Sequence, residues 1–122
     1  MRRVLVIDDE AEIREILRET LEAAGYEVAV AANGREGLAA QQHRPADLVI
    51  TDIFMPEKEG LETIQELRKR SPRPKIIAMS GGGGLGTLDY LPAAQQFGAD
   101  RSIEKPFDCE AVLALVREML AG

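Results

Sequence analysis

The chain has 122 residues and a formal net charge of −6, which sets the expectation of one domain and argues against sequence-independent DNA binding, since that needs a basic footprint. That length can bury about two thirds of the unfolded chain's surface, and with no Trp, three Phe and two Tyr the core must be aliphatic. One cysteine, Cys109, excludes an intramolecular disulfide and a thiolate metal site.

The elements follow in chain order. Residues 4–7 (VLVI) read as a buried strand after Arg2 and Arg3. Four apolar residues before DDE are too few for a secretory signal. Ile13, Ile16, Leu17 and Leu21 then repeat at helical spacing, and Gly25 stops that helix. Residues 28–31 form a second strand, weakened by its alanines. Asn33-Gly34 marks a turn, and an alanine-rich helix runs to about His43, an exposed residue at the helix end. Residues 48–51 form a third strand that ends in an acid, Asp52. Leu61, Ile64 and Leu67 define a helix that stops before SPRP, and Gly60 is expected to allow an unusual backbone angle before it. Residues 76–79 are a fourth strand, followed by the glycine-rich loop SGGGGLGTLDYL. A helix from about 89 to 97 accommodates Pro92 only in its first turn. Residues 101–103 form a short fifth strand, and Val112, Leu115, Val116 and Met119 a last helix, with Cys109 near its start.

Strands alternating with helices predict an α/β fold with a parallel sheet covered on both faces. Sites in such sheets form at the carboxyl ends of the strands. Asp8, Asp9 and Glu10 end the first strand, Thr51 and Asp52 the third, Ser80 the fourth, and Glu104, Lys105 and Pro106 follow the fifth. Any one of these alone is as well explained by a turn or a helix cap. If strands one, three, four and five are neighbours, three aspartates, a hydroxyl and a lysine converge on one rim. Carboxylates within about 5 Å raise one another's pKa. A hard divalent cation offsets that, and Mg²⁺ takes oxygen ligands while keeping several waters. Lys105 adds a positive charge. The set has the parts of phosphoryl transfer: a carboxylate nucleophile, a metal, and two groups for the equatorial oxygens.

Four segments, VLVIDDE (residues 4–10), LVITDIFMP (48–56) with Gly60, AMSG (78–81) and GADRSIEKPF (98–107), resemble the receiver domain of two-component response regulators over essentially the whole chain. The resemblance implies a flavodoxin-like doubly wound (βα)5 three-layer sandwich, strand order 2-1-3-4-5, and one domain over residues 1–122. It implies that Asp52 accepts a phosphoryl group from a sensor histidine kinase or histidine phosphotransfer protein. Asp9, Asp52 and the backbone carbonyl of Phe54 would ligate Mg²⁺, with Asp8 acting mostly through a coordinated water. Ser80 and Lys105 would hold the phosphoryl group, and Lys105-Pro106 resembles the family's cis peptide. The expected partner face for a downstream target is the fourth predicted helix, the fifth strand and the last helix, with Tyr90 and Arg101 as contacts. A homodimer is left open.

Two positions depart from the family pattern. Ser102 stands where an aromatic switch residue is usual, so the glycine-rich loop after Ser80 is the expected reporter of phosphorylation. Phe54, two past Asp52, offers no polar group to position water, and Gly82, two past Ser80, offers no side chain; slow self-dephosphorylation is expected. An aspartate-nucleophile phosphatase would carry a second acid at the position of Phe54, and a docking domain of receiver fold would not need the full acidic set. The chain is not expected to be an enzyme with a turnover substrate. No stretch approaches the about 20 apolar residues of a membrane span, so the expected location is the cytoplasm, without membrane insertion or direct nucleic-acid contact. No DNA-recognition module is seen; the chain reads either as a stand-alone receiver acting through partners, the preferred expectation, or as the front of a longer regulator.

Overall fold

A computed structural model of the chain describes residues 2–53, 60–71, 73–80 and 98–121; the side chains of Leu61 and Ser80 are outside that description. The described elements are β1 (Arg3–Ile7), α1 (Ala11–Ala23), β2 (Glu27–Ala31), α2 (Gly34–His43), β3 (Leu48–Asp52), α3 (Gly60–Arg68), β4 (Lys75–Ser80), β5 (Arg101–Glu104) and α4 (Cys109–Leu120). The expectations for Phe54, Met55, Pro56, Gly82, the glycine-rich loop, Tyr90, Pro92 and the helix at 89–97 fall outside the described residues.

The five strands are parallel and lie in the order β2-β1-β3-β4-β5. Successive strand residues face opposite sides of a sheet, and the sequence uses both. Leu5, Ile7, Val49, Ile76 and Ala78 pack on one face with Leu38 of α2 and Ile64 and Leu67 of α3. Val4, Val6, Leu48, Ile50, Ile77 and Met79 pack on the other with Leu17 and Leu21 of α1 and Val112, Val116, Met119 and Leu120 of α4. This is the three-layer sandwich, and it explains why the central strands carry no alternating polar residue. The Gly37 backbone lies so close to β1 that a Cβ there would sit 2.3 Å from Ile7 Cδ1.

Local signals set the ends. Asn33 caps α2 by accepting from the Glu36 N–H at 2.9 Å, and Glu36 returns a bond from the Ala32 N–H at 3.1 Å. Asp108 caps α4, accepting from the Glu110 N–H at 2.9 Å. Gly25 closes α1 with φ +97°, a conformation that favours glycine. Gln41 is buried and bonds both the N–H and the carbonyl of Ala46, pinning the turn into β3. His43 is the exposed last residue of α2, and Cys109 the half-buried first residue of α4, as their positions suggest.

Two expectations change. Ile16, placed on the core stripe by spacing, is 43% exposed; the buried stripe of α1 runs through Leu17 and Leu21, with Ile13 at its margin. Gly60 stands inside α3 as its first residue rather than ahead of it.

Candidate functional site

The strand order makes β1, β3, β4 and β5 contiguous, so their carboxyl ends form one rim. Register aligns Ile7 with Thr51, Asp52 with Met79, and Ser80 with Glu104. Asp52 is therefore the last residue of the central strand, buried and followed by buried Ile53, whose N–H continues the ladder to the Met79 carbonyl at 2.9 Å.

Asp8 is placed by three hydrogen bonds. Its N–H donates to the Ala31 carbonyl at 3.1 Å, its carbonyl accepts from the Arg14 guanidinium at 2.9 Å, and its Oδ1 accepts from the Glu10 N–H at 2.8 Å. The last is the aspartate-to-backbone turn that short polar side chains favour. It leaves Asp8 fully buried while the chain enters α1.

Lys105 follows β5 and crosses the rim. Its ammonium donates to Asp8 Oδ2 at 2.7 Å, Asp52 Oδ2 at 3.1 Å and Glu10 Oε1 at 3.3 Å. The Lys105–Pro106 peptide is cis. Carboxylate oxygens of Asp8, Asp9, Glu10 and Asp52 all lie within 4.8 Å of one another. Four acids thus surround one buried ammonium. Burial pushes the Asp8 carboxyl above its ordinary 3.8, and the Lys105 and Glu10 hydrogen bonds oppose this without cancelling it. For Lys105 burial acts downward, but the hydrogen bond to Asp8 and the charge of Asp52 outweigh it and hold the ammonium above its ordinary value. An all-oxygen, anionic donor set of this kind suits a hard divalent cation rather than a soft one.

The structure therefore brings Asp8, Asp9, Asp52 and Lys105 together as the strand ends suggest. Ser80 closes β4 on the same rim, with its side chain outside the description, and Phe54 is not among the described residues. Ser102 lies half-buried on β5, paired with Ala78. Glu10 is the site member that residue-by-residue reading passes over as a cap. It does occupy the N-cap of α1, but its side chain makes no cap bond and turns to Lys105.

The family model for the response regulator receiver domain matches residues 4–117. The chain belongs to the response regulator receiver family. Among its relatives, the chemotaxis protein CheY of Thermotoga maritima is 37% identical over 119 residues, covering 97% of each chain. The probable transcriptional regulator ycf27 of Cyanophora paradoxa is 38% identical over 119 residues, 98% of this chain and 48% of that protein. The receiver thus spans about half the length of the transcriptional regulators it matches. Among solved structures, CheY4 of Vibrio cholerae superposes with a TM-score of 0.88 at 33% identity, covering 98% of this chain and 99% of that one. The flavodoxin-like order 2-1-3-4-5 of the receiver is the expected one. Among the described residues no helix is long and apolar enough to cross a membrane.

Proposed function

We propose that this receiver, read as one domain over residues 1–122, accepts a phosphoryl group on Asp52 from a phosphohistidine of a sensor histidine kinase or a histidine phosphotransfer protein. The observation that carries the reading is the Lys105 ammonium shared by Asp8 and Asp52 at the rim of the sheet, inside a four-carboxylate cluster. An Asp52 oxygen forms the new P–O bond as the bond from phosphorus to the donor nitrogen breaks. The electron pair leaves with the imidazole. Lys105 and, by family resemblance, Ser80 would hold the equatorial oxygens. Asp9 and Asp52, with Asp8 through a water, would hold Mg²⁺; by family resemblance the Phe54 carbonyl would complete the set. Mg²⁺, when bound, neutralises charge on the phosphoryl oxygens.

In this reading the protein catalyses only its own phosphorylation and dephosphorylation. Its output is altered binding to a downstream protein or onward transfer of the phosphoryl group, in the cytoplasm by family analogy. The face of β5 and α4 is the partner surface by the same analogy. Support on the molecule is an apolar cavity of about 400 Å³ lined by Ile103, Phe107, Ala111 and Leu115, beside the Arg101–Glu118 ion pair at 2.8 Å.

Intact mass after incubation with Mg²⁺ and acetyl phosphate tests the assignment. One phosphoryl adduct is expected on wild type, none on Asp52→Asn, and none in chelator. An adduct on both proteins removes Asp52 as acceptor.

A further inference from the structure

A lysine ammonium has three N–H donors. In this receiver all three have carboxylate partners: Asp8, Asp52 and Glu10. A phosphoryl oxygen that is to pair with Lys105 must displace one of them. Asp8 is fully buried and tied to the Glu10 N–H, and Asp52 is the buried end of β3. Glu10 differs from both. Its side chain is 61% exposed, its contact is the longest of the three at 3.3 Å, and it makes no cap bond that would restrain it. Solvent can take up its carboxylate at little cost. It is also one of four acids gathered around one lysine, so its carboxylate adds negative charge where an anion would have to bind.

We propose that Glu10 is a positioning and specificity residue: the displaceable partner of Lys105, whose carboxylate slows phosphorylation of Asp52 by small anionic donors. This rests on the reading of Asp52 as phosphoacceptor. The consequence is a bias toward a protein donor, which can supply cations around its phosphohistidine, over free acyl phosphates. Glu10 acts through Lys105 and through charge and touches no reacting atom.

The test is the initial rate of phosphoryl adduct formation, by intact mass, on wild type and Glu10→Gln. Acetyl phosphate and the less negative phosphoramidate serve as donors, across an Mg²⁺ titration and at low and high salt. Glu10→Gln is expected to react about three- to tenfold faster with acetyl phosphate at low salt, in line with removing one charge a few ångströms from a dianion. The gain is expected to be smaller with phosphoramidate and to shrink when salt shortens the screening length to about 3 Å. A merely structural side chain would show neither dependence. Glu10→Ala should behave like Glu10→Gln; if only one is faster, charge is not the cause and the inference falls. Equal or lower rates at saturating Mg²⁺ overturn it while leaving Asp52 as acceptor. A tenfold higher Mg²⁺ concentration for half-maximal rate in Glu10→Gln, with no gain in maximal rate, makes Glu10 a metal holder and overturns it too. No adduct on wild type, Glu10→Gln or Glu10→Ala with either donor rejects the underlying assignment itself.

Discussion

Replacing Lys105 with methionine removes the one ammonium that three carboxylates share and keeps most of the side-chain volume. At an effective dielectric of about 20, attraction to Asp8 at 2.7 Å is about 6 kcal/mol and to Asp52 at 3.1 Å about 5 kcal/mol. Desolvation of the ammonium offsets most of that. What remains is two buried acids without their cation, a change that costs about 3–5 kcal/mol. For a chain of this size the melting temperature should fall by about 4 °C per kcal/mol, so about 12–20 °C in chelator at pH 7. The loss has a ceiling, because Asp8 is already pushed toward its neutral form and can escape by taking a proton. The deficit should therefore narrow as pH falls toward 4. Mg²⁺ should stabilise the variant more than wild type, since a bound cation replaces what the ammonium supplied; wild type itself gains about 2.7 kcal/mol at a hundredfold excess over Kd. Thermal melts of both proteins, with chelator and with Mg²⁺, measure all three effects. A variant that melts within 2 °C of wild type in chelator at pH 7 would refute the reasoning, for Lys105 would then not be what holds the rim together.

Three further outcomes follow from the same geometry. Asp52→Asn leaves an oxygen for Lys105 but removes one of the four crowded charges, so in chelator it should be more stable than wild type by about 1 kcal/mol; a lower urea midpoint would show that attraction to Lys105 outweighs the crowding. The folded-state pKa of Asp8 is raised, so the stability linked to its protonation is full below its unfolded value of 3.8 and lost as pH rises through the folded value. Metal-free wild type should thus lose stability relative to Asp8→Asn as pH climbs from about 4 across that titration, and parallel stability–pH curves would contradict the assignment. Gly37→Ala gains about 1 kcal/mol of helix propensity but drives a methyl group to 2.3 Å from Ile7, an overpacking worth about 1–3 kcal/mol; guanidinium denaturation should show a net loss, and a net gain would mean Ile7 yields freely.

The fold was legible because each level of the sequence agreed. Residues 4–7, 48–50 and 76–79 are apolar throughout, which only a strand covered on both faces requires, and the structure sends alternate residues of each to opposite cores. Gly25 and Asn33 announce helix ends by chemistry that needs no tertiary context. Ile16 misled because helical spacing gives a stripe, not its width. With Leu17 and Leu21 filling the contact against β1 and α4, the neighbouring position turns to solvent.

At the site, convergence of Asp8, Asp52 and Lys105 hung on strands one, three, four and five being neighbours; the family resemblance implied that order, and parallel strands then put every carboxyl end on one rim. The part played by Glu10 did not follow. Its sequence position, before a helix and after two aspartates, fits a cap as well as a site residue. The choice is made by the preceding turn: once Asp8 Oδ1 takes the Glu10 N–H, the backbone of Glu10 is fixed at the N-cap while its side chain stays unbound there. The nearest strong partner is then an ammonium delivered from the far end of the chain, 95 residues away. A local motif fixes the backbone and a long-range charge selects the side chain's direction, so no window of sequence holds both halves of the argument. The same division explains why Lys105 cannot be treated as a spectator of β1. It decides where Glu10 points, because Glu10 takes the third contact of an ammonium that Asp8 and Asp52 already hold.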